Sequence, residues 1–373
     1  MKIAHLNTET GWGGGEAQTL YLVRGLQEAG HDCTLFVNPL GRLYPAACRS
    51  GLRVRTIPGG KFRHPGSVLY LAREFHRNSF DLCHFHTGQA VTIGSLATLG
   101  LRDTARVGSR RLGYPLARKW YRWNGPWMGL DHIIAVSDFV RGRLGRSGVP
   151  LSRVTVIHSG VDLKRFGSLP EIRSFRGSGG NRPVSLWIGS ITRPNDSEAI
   201  GVFLDTCFQL RQRNRRFRFL LVGPPRDGAA GEVWKRRIRA LDLEGALDLT
   251  GFREDIPELL KKLDCLVFYP PPGVGSPGVL KEAMAAGVPI VAADHPVIGE
   301  IVSPGEGAIV VPSGDPRALA REVLRILTEP DLACRLVRHA GSEVRRFSVS
   351  QMVEETLLVY RKVLSERLRQ SAV

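Results

Sequence analysis

The chain has 373 residues, 43% of them hydrophobic and 23% charged, which is too long for one ordinary core and suits two folded domains. No run of about 18 apolar residues occurs, which excludes a membrane-spanning helix, and "MKIAHLNTETGWGGGEAQ" lacks the apolar core of a signal peptide, so a cytoplasmic location is expected. A net charge of +17 calls for an acidic partner, whether a phosphorylated small molecule, an anionic membrane surface or nucleic acid, and no nucleic-acid-binding module is recognisable.

In chain order, "KIAHLN" (2–7) reads as a strand running into the glycine-rich turn "TGWGGGEAQ". Leu22, Val23, Leu26 and Ala29 then recur at helical spacing, with Gly30 as the stop, and "CTLFVN" (33–38) is the next strand. That is one βαβ unit, and "DLCHFHTG", "ARVGSRR" and "HIIAVS" continue the same parallel sheet. Residues 154–183, rich in Gly, Ser, Pro and Arg, read as a linker. The alternation restarts with "VSLWIGS", "FRFLLVG", "LDLTGF", "DCLVFYP", "PIVAAD" and "GAIVVP". These are near-continuous apolar runs, as expected of parallel strands covered on both faces. Met352, Thr356, Val359, Tyr360 and Val363 space out a terminal amphipathic helix. The prediction is two doubly wound α/β domains joined near 165–180, with ligands at the carboxyl ends of the strands and in a cleft between the domains.

The glycines at 13–15 let backbone approach a ligand and open a helix whose N–H groups point the same way. His84 and His86 alternate onto one face with Leu82. His86 stands at the strand's carboxyl end, where a ligand-facing and a core reading both hold, and His84 reads as a core residue. No third ligand falls at metal-binding spacing, so no metal is expected, and six scattered cysteines without a CxxC pair indicate neither a zinc site nor a disulfide framework. The segment "YPLARKWYRWNGPWMG" (114–129) interleaves aromatics with cations, which suits an anionic membrane interface or a packed helix.

Taken in order, "GGGEAQ", "HIIAVSDFVRGRL", "VTVIHSGVDLKRF", "LLVGPP", "LTGFREDIPELL" and "LKEAMAAGVPIVAAD" resemble the retaining glycosyltransferases of family 4 over nearly the whole chain. The resemblance implies an α/β GT-B fold, two Rossmann-like domains facing across a cleft. Residues 1–165 would form the acceptor-side domain and 166–350 the nucleotide-sugar-binding domain, with helix 351–373 packing back on the first. It implies metal-independent transfer of a sugar, with retention, from a nucleotide-sugar co-substrate to a saccharide or lipid-linked acceptor, with no cofactor. Glu282 would accept hydrogen bonds from the ribose hydroxyls, and Pro277, Gly278 and Val279 would open the helix that meets the diphosphate. Gly251, Phe252 and Arg253 would lie near the base, and Gly14, Gly15, Gly189, Ser190 and Arg193 would complete the donor-binding set. His86, Arg111 and Arg193 are the catalytic candidates, with the acceptor near Gly14, His86 and Arg111.

Three departures stand out. Val274 occupies the position of a second family glutamate. Ser190 and Asn195 replace an arginine and a lysine, leaving Arg193 as the nearest cation. Arg110 and Arg111 stand where the family often has a histidine. A non-catalytic nucleotide-sugar-binding homologue and a GT-B epimerase therefore remain as alternatives.

Overall fold

A computed structural model describes residues 1–58, 65–115, 129–167 and 185–371. The chain divides into two compact units, Met1–Gly160 with Phe347–Val373, and Val161–Arg346.

Among the described residues the first unit holds seven strands: β1 (Lys2–Asn7), β2 (Asp32–Val37), β3 (Val54–Thr56), β4 (Leu82–Phe85), β5 (Ala105–Arg110), β6 (His132–Ala135) and β7 (Val154–Val156). Their order in the sheet is β3-β2-β1-β4-β5-β6-β7, all parallel. The helices are α1 (Gly14–Glu28), α2 (Leu43–Arg49), α3 (Pro65–Asn78), α4 (Gly88–Ala97), α5 (Asp138–Arg146) and the terminal Val349–Ser371 helix. Ile3, Ala4 and Leu6 are fully buried, so β1 lies at the centre of a covered sheet. The terminal helix packs on α1, where Gly25 leaves room for Val353: a Cβ there would sit 2.6 Å from Val353 Cγ2.

The second unit holds β8 (Leu186–Ile191), β9 (Phe217–Val222), β10 (Leu247–Gly251), β11 (Cys265–Phe268), β12 (Ile290–Ala293) and β13 (Ile309–Val311), ordered β10-β9-β8-β11-β12-β13 and again parallel. Its helices are α6 (Ser197–Arg213), α7 (Gly228–Ala240), α8 (Ile256–Leu260), α9 (Gly278–Ala286), α10 (Pro316–Thr328) and α11 (Pro330–Glu343); the terminal helix of the first unit is α12.

In each sheet the chain order reverses once, between β1 and β4 and between β8 and β11. At such a reversal the connections leave in opposite directions and open a crevice beyond the strand ends. The glycine-rich turn follows β1 and His86 follows β4, while residues 192–196 follow β8 and 269–277 follow β11.

The linker reading of 154–183 is corrected at its start. The β-branched Val154–Val156 pairs with β6 as a seventh strand, Ile133 opposite Val154. A 3-10 turn follows at Leu163–Phe166, capped by Asp162 and closed by buried Phe166. Residues 168–184 and 116–128, the latter most of the aromatic–cationic segment, lie outside the described residues.

Gly223 offers a test of the second unit. It ends β9 with φ +117°, and a Cβ there would stand 2.0 Å from the Thr192 carbonyl oxygen. Gly223→Ala combines a disallowed backbone conformation with a backbone clash, so it is expected to cost about 3 kcal/mol, read as a lower Tm for the second unit.

Candidate active site

In the first unit the site is a buried polar cluster at the β1–β4–β5 strand ends. Sequence spacing shows His84 and His86; the sheet register adds His5, which lies opposite His84. The three imidazoles are 0, 1 and 3% exposed for His5, His84 and His86, and each offers a nitrogen within 4.8 Å of the others. The third imidazole is thus brought in by strand pairing, which spacing along the chain does not show.

The hydrogen bonds nevertheless disfavour an ion. Arg111 Nη2 lies 3.0 Å from His86 Nδ1. A guanidinium only donates, so His86 Nδ1 accepts and neutral His86 carries its proton on Nε2. That nitrogen donates to His5 Nδ1 at 3.0 Å, which leaves the His5 proton on Nε2. His5 Nε2 is buried with no partner among the described residues, the orphan donor at the end of the chain. A metal on His5 Nε2 would reverse both tautomers and set His86 Nδ1–H against the Arg111 donors. His84 is committed as well, with Nδ1 2.6 Å from the Tyr360 hydroxyl and Nε2 2.8 Å from Ser109 Oγ. Burial holds all three imidazoles neutral; it pushes His5 down to about 3 and keeps His84 and His86 well below the usual range, with neighbouring histidines and Arg111 adding to the last two.

His86 therefore has no ring nitrogen left for a substrate, and the catalytic expectation for it becomes a positioning one. What it positions is Arg111, whose Nη1 donates to the Gly15 carbonyl and reaches Thr19 Oγ1 at 3.5 Å. Burial lowers the Arg111 guanidinium to about 10, opposed by the Glu16 carboxylate and Tyr360. It remains a cation, held beneath the first turn of α1. That turn starts at Gly13, which provides no side-chain cap, and a Cβ on Gly14 would meet nothing within 4 Å, so the approach is open.

In the second unit the site lies along the turn between β11 and α9. Pro277 precedes α9 without a side-chain cap, Gly278 is exposed with nothing within 4 Å of its would-be Cβ, and Val279 is half-buried. The start of α9 is thus uncapped by any described side chain and open at Gly278, and the helix ends on Gly287 at φ 65°, where only a residue tolerant of the left-handed region fits. Glu282 is one turn further in. It is half-buried, and its carboxylate makes no hydrogen bond or ion pair with any described residue. Burial raises its pKa, opposed by the Arg165 and Lys281 charges. The turn itself is anchored: Val274 is 4% exposed and packs inward, so this position is a core contact.

The remaining residues divide. Arg193 is exposed just beyond β8, and Asn195 is exposed beside it. Gly189 and Ser190 lie within β8; a Cβ on Gly189 would sit 2.5 Å from Leu263 Cδ1, so packing alone requires that glycine. Gly251 ends β10 at φ +75°, and Phe252 is 43% exposed. Arg253 is spent on Asp255, through bonds of 2.7 and 2.5 Å. The basic residues at 211–218 run from the end of α6 into β9, and those at 234–239 lie on α7. They are partly paired, Arg237 with Asp205 and Lys235 with Glu232.

Sequence reasoning missed His5, Glu16 and Lys281. Lys281 is fully buried, and its Nζ donates to Ser276 Oγ at 2.7 Å. The available signal was a lysine beside Glu282 within the apolar residues of "VLKEAMAA".

Residues 12–165 match the family model of Glycosyltransferase Family 4, and residues 182–329 match that of Glycosyl transferases group 1. Among curated proteins the chain is similar to WcaL of Escherichia coli K12, assigned as a colanic acid biosynthesis glycosyltransferase, with 28% identity over 61% of this chain and 55% of that one. It is also similar to a phosphatidyl-myo-inositol mannosyltransferase of Mycolicibacterium smegmatis, 26% identical over 94% of this chain and 90% of the other. The chain spans about half the length of the first curated relatives it matches, 55, 46 and 47%. Its fold is that of Anabaena HepE solved with UDP and glucose, with a TM-score of 0.81 at 20% identity, covering 97% of this chain and all of the other. With both sheets in place and the two models together matching most of its length, the chain belongs to the family 4, group 1 glycosyltransferases of GT-B fold.

Proposed function

We propose that the chain transfers a sugar, with retention at the anomeric carbon, from a nucleotide-sugar donor to a hydroxyl of a cell-envelope glycan or lipid-linked acceptor, without a resident metal or cofactor. Glu282 carries the reading: a half-buried carboxylate with no hydrogen bond or ion pair to a described residue, one turn into a helix whose uncapped start is open at Gly278. An uncommitted acid in that setting is costly unless a ligand uses it, and two vicinal ribose hydroxyls suit its two oxygens. The amides of Gly278 and Val279 and the α9 dipole favour a diphosphate at the same helix end, and Arg193 supplies an exposed cation just after β8, the strand that pairs with β11. In the first unit Arg111, held by His86, offers its charge beneath the Gly14–Gly15 turn to an acceptor or phosphate.

In the reaction, the bond from the anomeric carbon to the diphosphate oxygen breaks. The acceptor oxygen bonds to that carbon on the same face, and its proton passes to the departing phosphate oxygen. The names of the relatives support this donor and acceptor class: the Anabaena structure holds UDP and glucose, and the E. coli relative is assigned to colanic acid biosynthesis. Such an acceptor suits action at the inner face of the cytoplasmic membrane. Among the described residues no helix is long and apolar enough to cross it.

A second reading, a nucleotide-sugar binder without turnover, is favoured by Val274, Ser190 and Asn195, which replace one acid and two cations. A panel of UDP-, GDP- and ADP-sugars separates the two. A donor at a hundred times its Kd is expected to stabilise by about 2.7 kcal/mol, roughly 5–10 °C in Tm, and to hydrolyse slowly. Protection by none of them rejects both readings. Protection without turnover, even with membrane extract supplied, selects the binder.

A further inference from the structure

We propose that Lys281 is a positioning residue that clamps the 273–277 turn from inside the second unit and so sets the direction of the open first turn of α9. The inference rests on the donor reading above and concerns how the diphosphate end is held. Lysine is almost never fully buried, because its amine loses hydration and its long stem loses rotamer freedom. Lys281 is 0% exposed, and its Nζ lies 2.7 Å from Ser276 Oγ. Ser276 immediately precedes Pro277, where α9 starts without a side-chain cap of its own. The helix start is therefore only as well placed as the turn that leads into it.

The turn is gripped at two points. Val274 is buried, and its N–H donates to the Pro271 carbonyl at 3.0 Å. Ser276 is tied to Lys281. Gly273, at φ +71°, lets the chain bend between Pro271 and the buried valine. Because Lys281 and Glu282 are neighbours on α9, the clamp joins the turn and the ribose-binding helix into one body. Burial pushes the amine down to about 7, the Arg346 guanidinium lowers it further and the Glu282 carboxylate opposes both. The bond to Ser276 is available to the amine and the ammonium alike, since both donate.

The test uses the full chain with Lys281→Met, Ser276→Ala and the double substitution. Each is titrated calorimetrically with the nucleoside diphosphate that protects best in the panel (UDP, GDP or ADP) and with its monophosphate. Each single change is expected to weaken diphosphate binding on the order of tenfold and monophosphate binding less than about threefold, as for loss of one hydrogen bond at the diphosphate end. The double variant is expected to lose no more than either single one, because both remove the same contact. Ser276 is half-exposed on a turn, so its alanine variant leaves the core intact even if Lys281→Met folds poorly. Parent-like diphosphate binding by Ser276→Ala, additive losses in the double variant, or equal losses for mono- and diphosphate would each overturn the clamp while leaving the donor reading in place. A parent that binds no nucleoside diphosphate overturns both.

Discussion

Glu282→Ala will lose nucleotide affinity on the order of a hundredfold while keeping, or slightly raising, the thermal stability of the unliganded protein. The two halves of this result have one cause. The carboxylate is half-buried and makes no hydrogen bond or ion pair with a described residue, and its surroundings raise its pKa against the pull of Arg165 and Lys281. In the free protein it therefore contributes little that holds the fold, and removing it relieves a desolvated charge. In the complex it accepts from two ribose hydroxyls, and charge-assisted hydrogen bonds are worth roughly 1.5–3 kcal/mol each. Glu282→Gln keeps one accepting oxygen in the same shape and is expected to lose about tenfold. Calorimetric titration with the protective nucleotide, alongside a thermal melt of each variant without ligand, reads both halves. An alanine variant that binds like the parent removes Glu282 from the ribose. An alanine variant that melts far below the parent makes it a structural residue instead.

Much of this was legible in the sequence, for physical reasons that also explain the rest. Central strands such as β11 and β12 are covered on both faces, so they appear as unbroken apolar runs, and the turns beside them stand out as glycine and proline clusters. The edge strands β3 and β7 have three residues each, too few to show a pattern, and β7 was hidden inside a segment whose composition reads as linker. Glu282 was reachable because the stretch around it, "LKEAMAAGVPIVAAD", carries the family resemblance. His5 was not, since its partners are brought to it by pairing between β1 and β4, 79 residues apart in the chain for His84. Period-2 reading relates only residues of one strand. Lys281 shows the complementary limit: composition treats lysine as a surface residue, and only packing shows that its amine serves a turn from beneath.

The histidine cluster should make the first unit labile in mild acid, well before its carboxylates titrate. His5, His84 and His86 have an ordinary value of 6.5 and are held neutral in the folded chain, His5 down to about 3 and the other two well below 6.5. His132 is pushed down to about 4, by burial first and Lys362 second. The sign follows from proton counting. Below 6.5 the unfolded chain takes up protons that the folded chain refuses, so stability is full above 6.5 and falls as pH drops towards the folded-state values. Each such histidine forfeits about 1.4 kcal/mol per pH unit, so by pH 5 the three in the cluster together forfeit roughly 6 kcal/mol, comparable to the whole stability of many domains. Glu16 works the other way, because burial raises its carboxyl and protonating it relieves the folded state, but only nearer its ordinary value of 4.5. The Arg111–His86–His5 hydrogen bonds give the reason protonation is refused: a second proton on His86 would face the Arg111 donors, and one on His5 would face the Nε2–H of His86. Hydrogen exchange of peptides covering β1 and β4, followed from pH 7.5 to 5.0 after correction for intrinsic rates, should show protection collapsing below 6.5 while peptides from β9 and β11 hold theirs. His5→Leu removes one titrating ring and the orphan donor, and should flatten the fall by about one proton's share. Equal protection at pH 7 and pH 5 across β1 and β4 would mean that the cluster accepts protons after all, and that Arg111 is not held by a neutral His86.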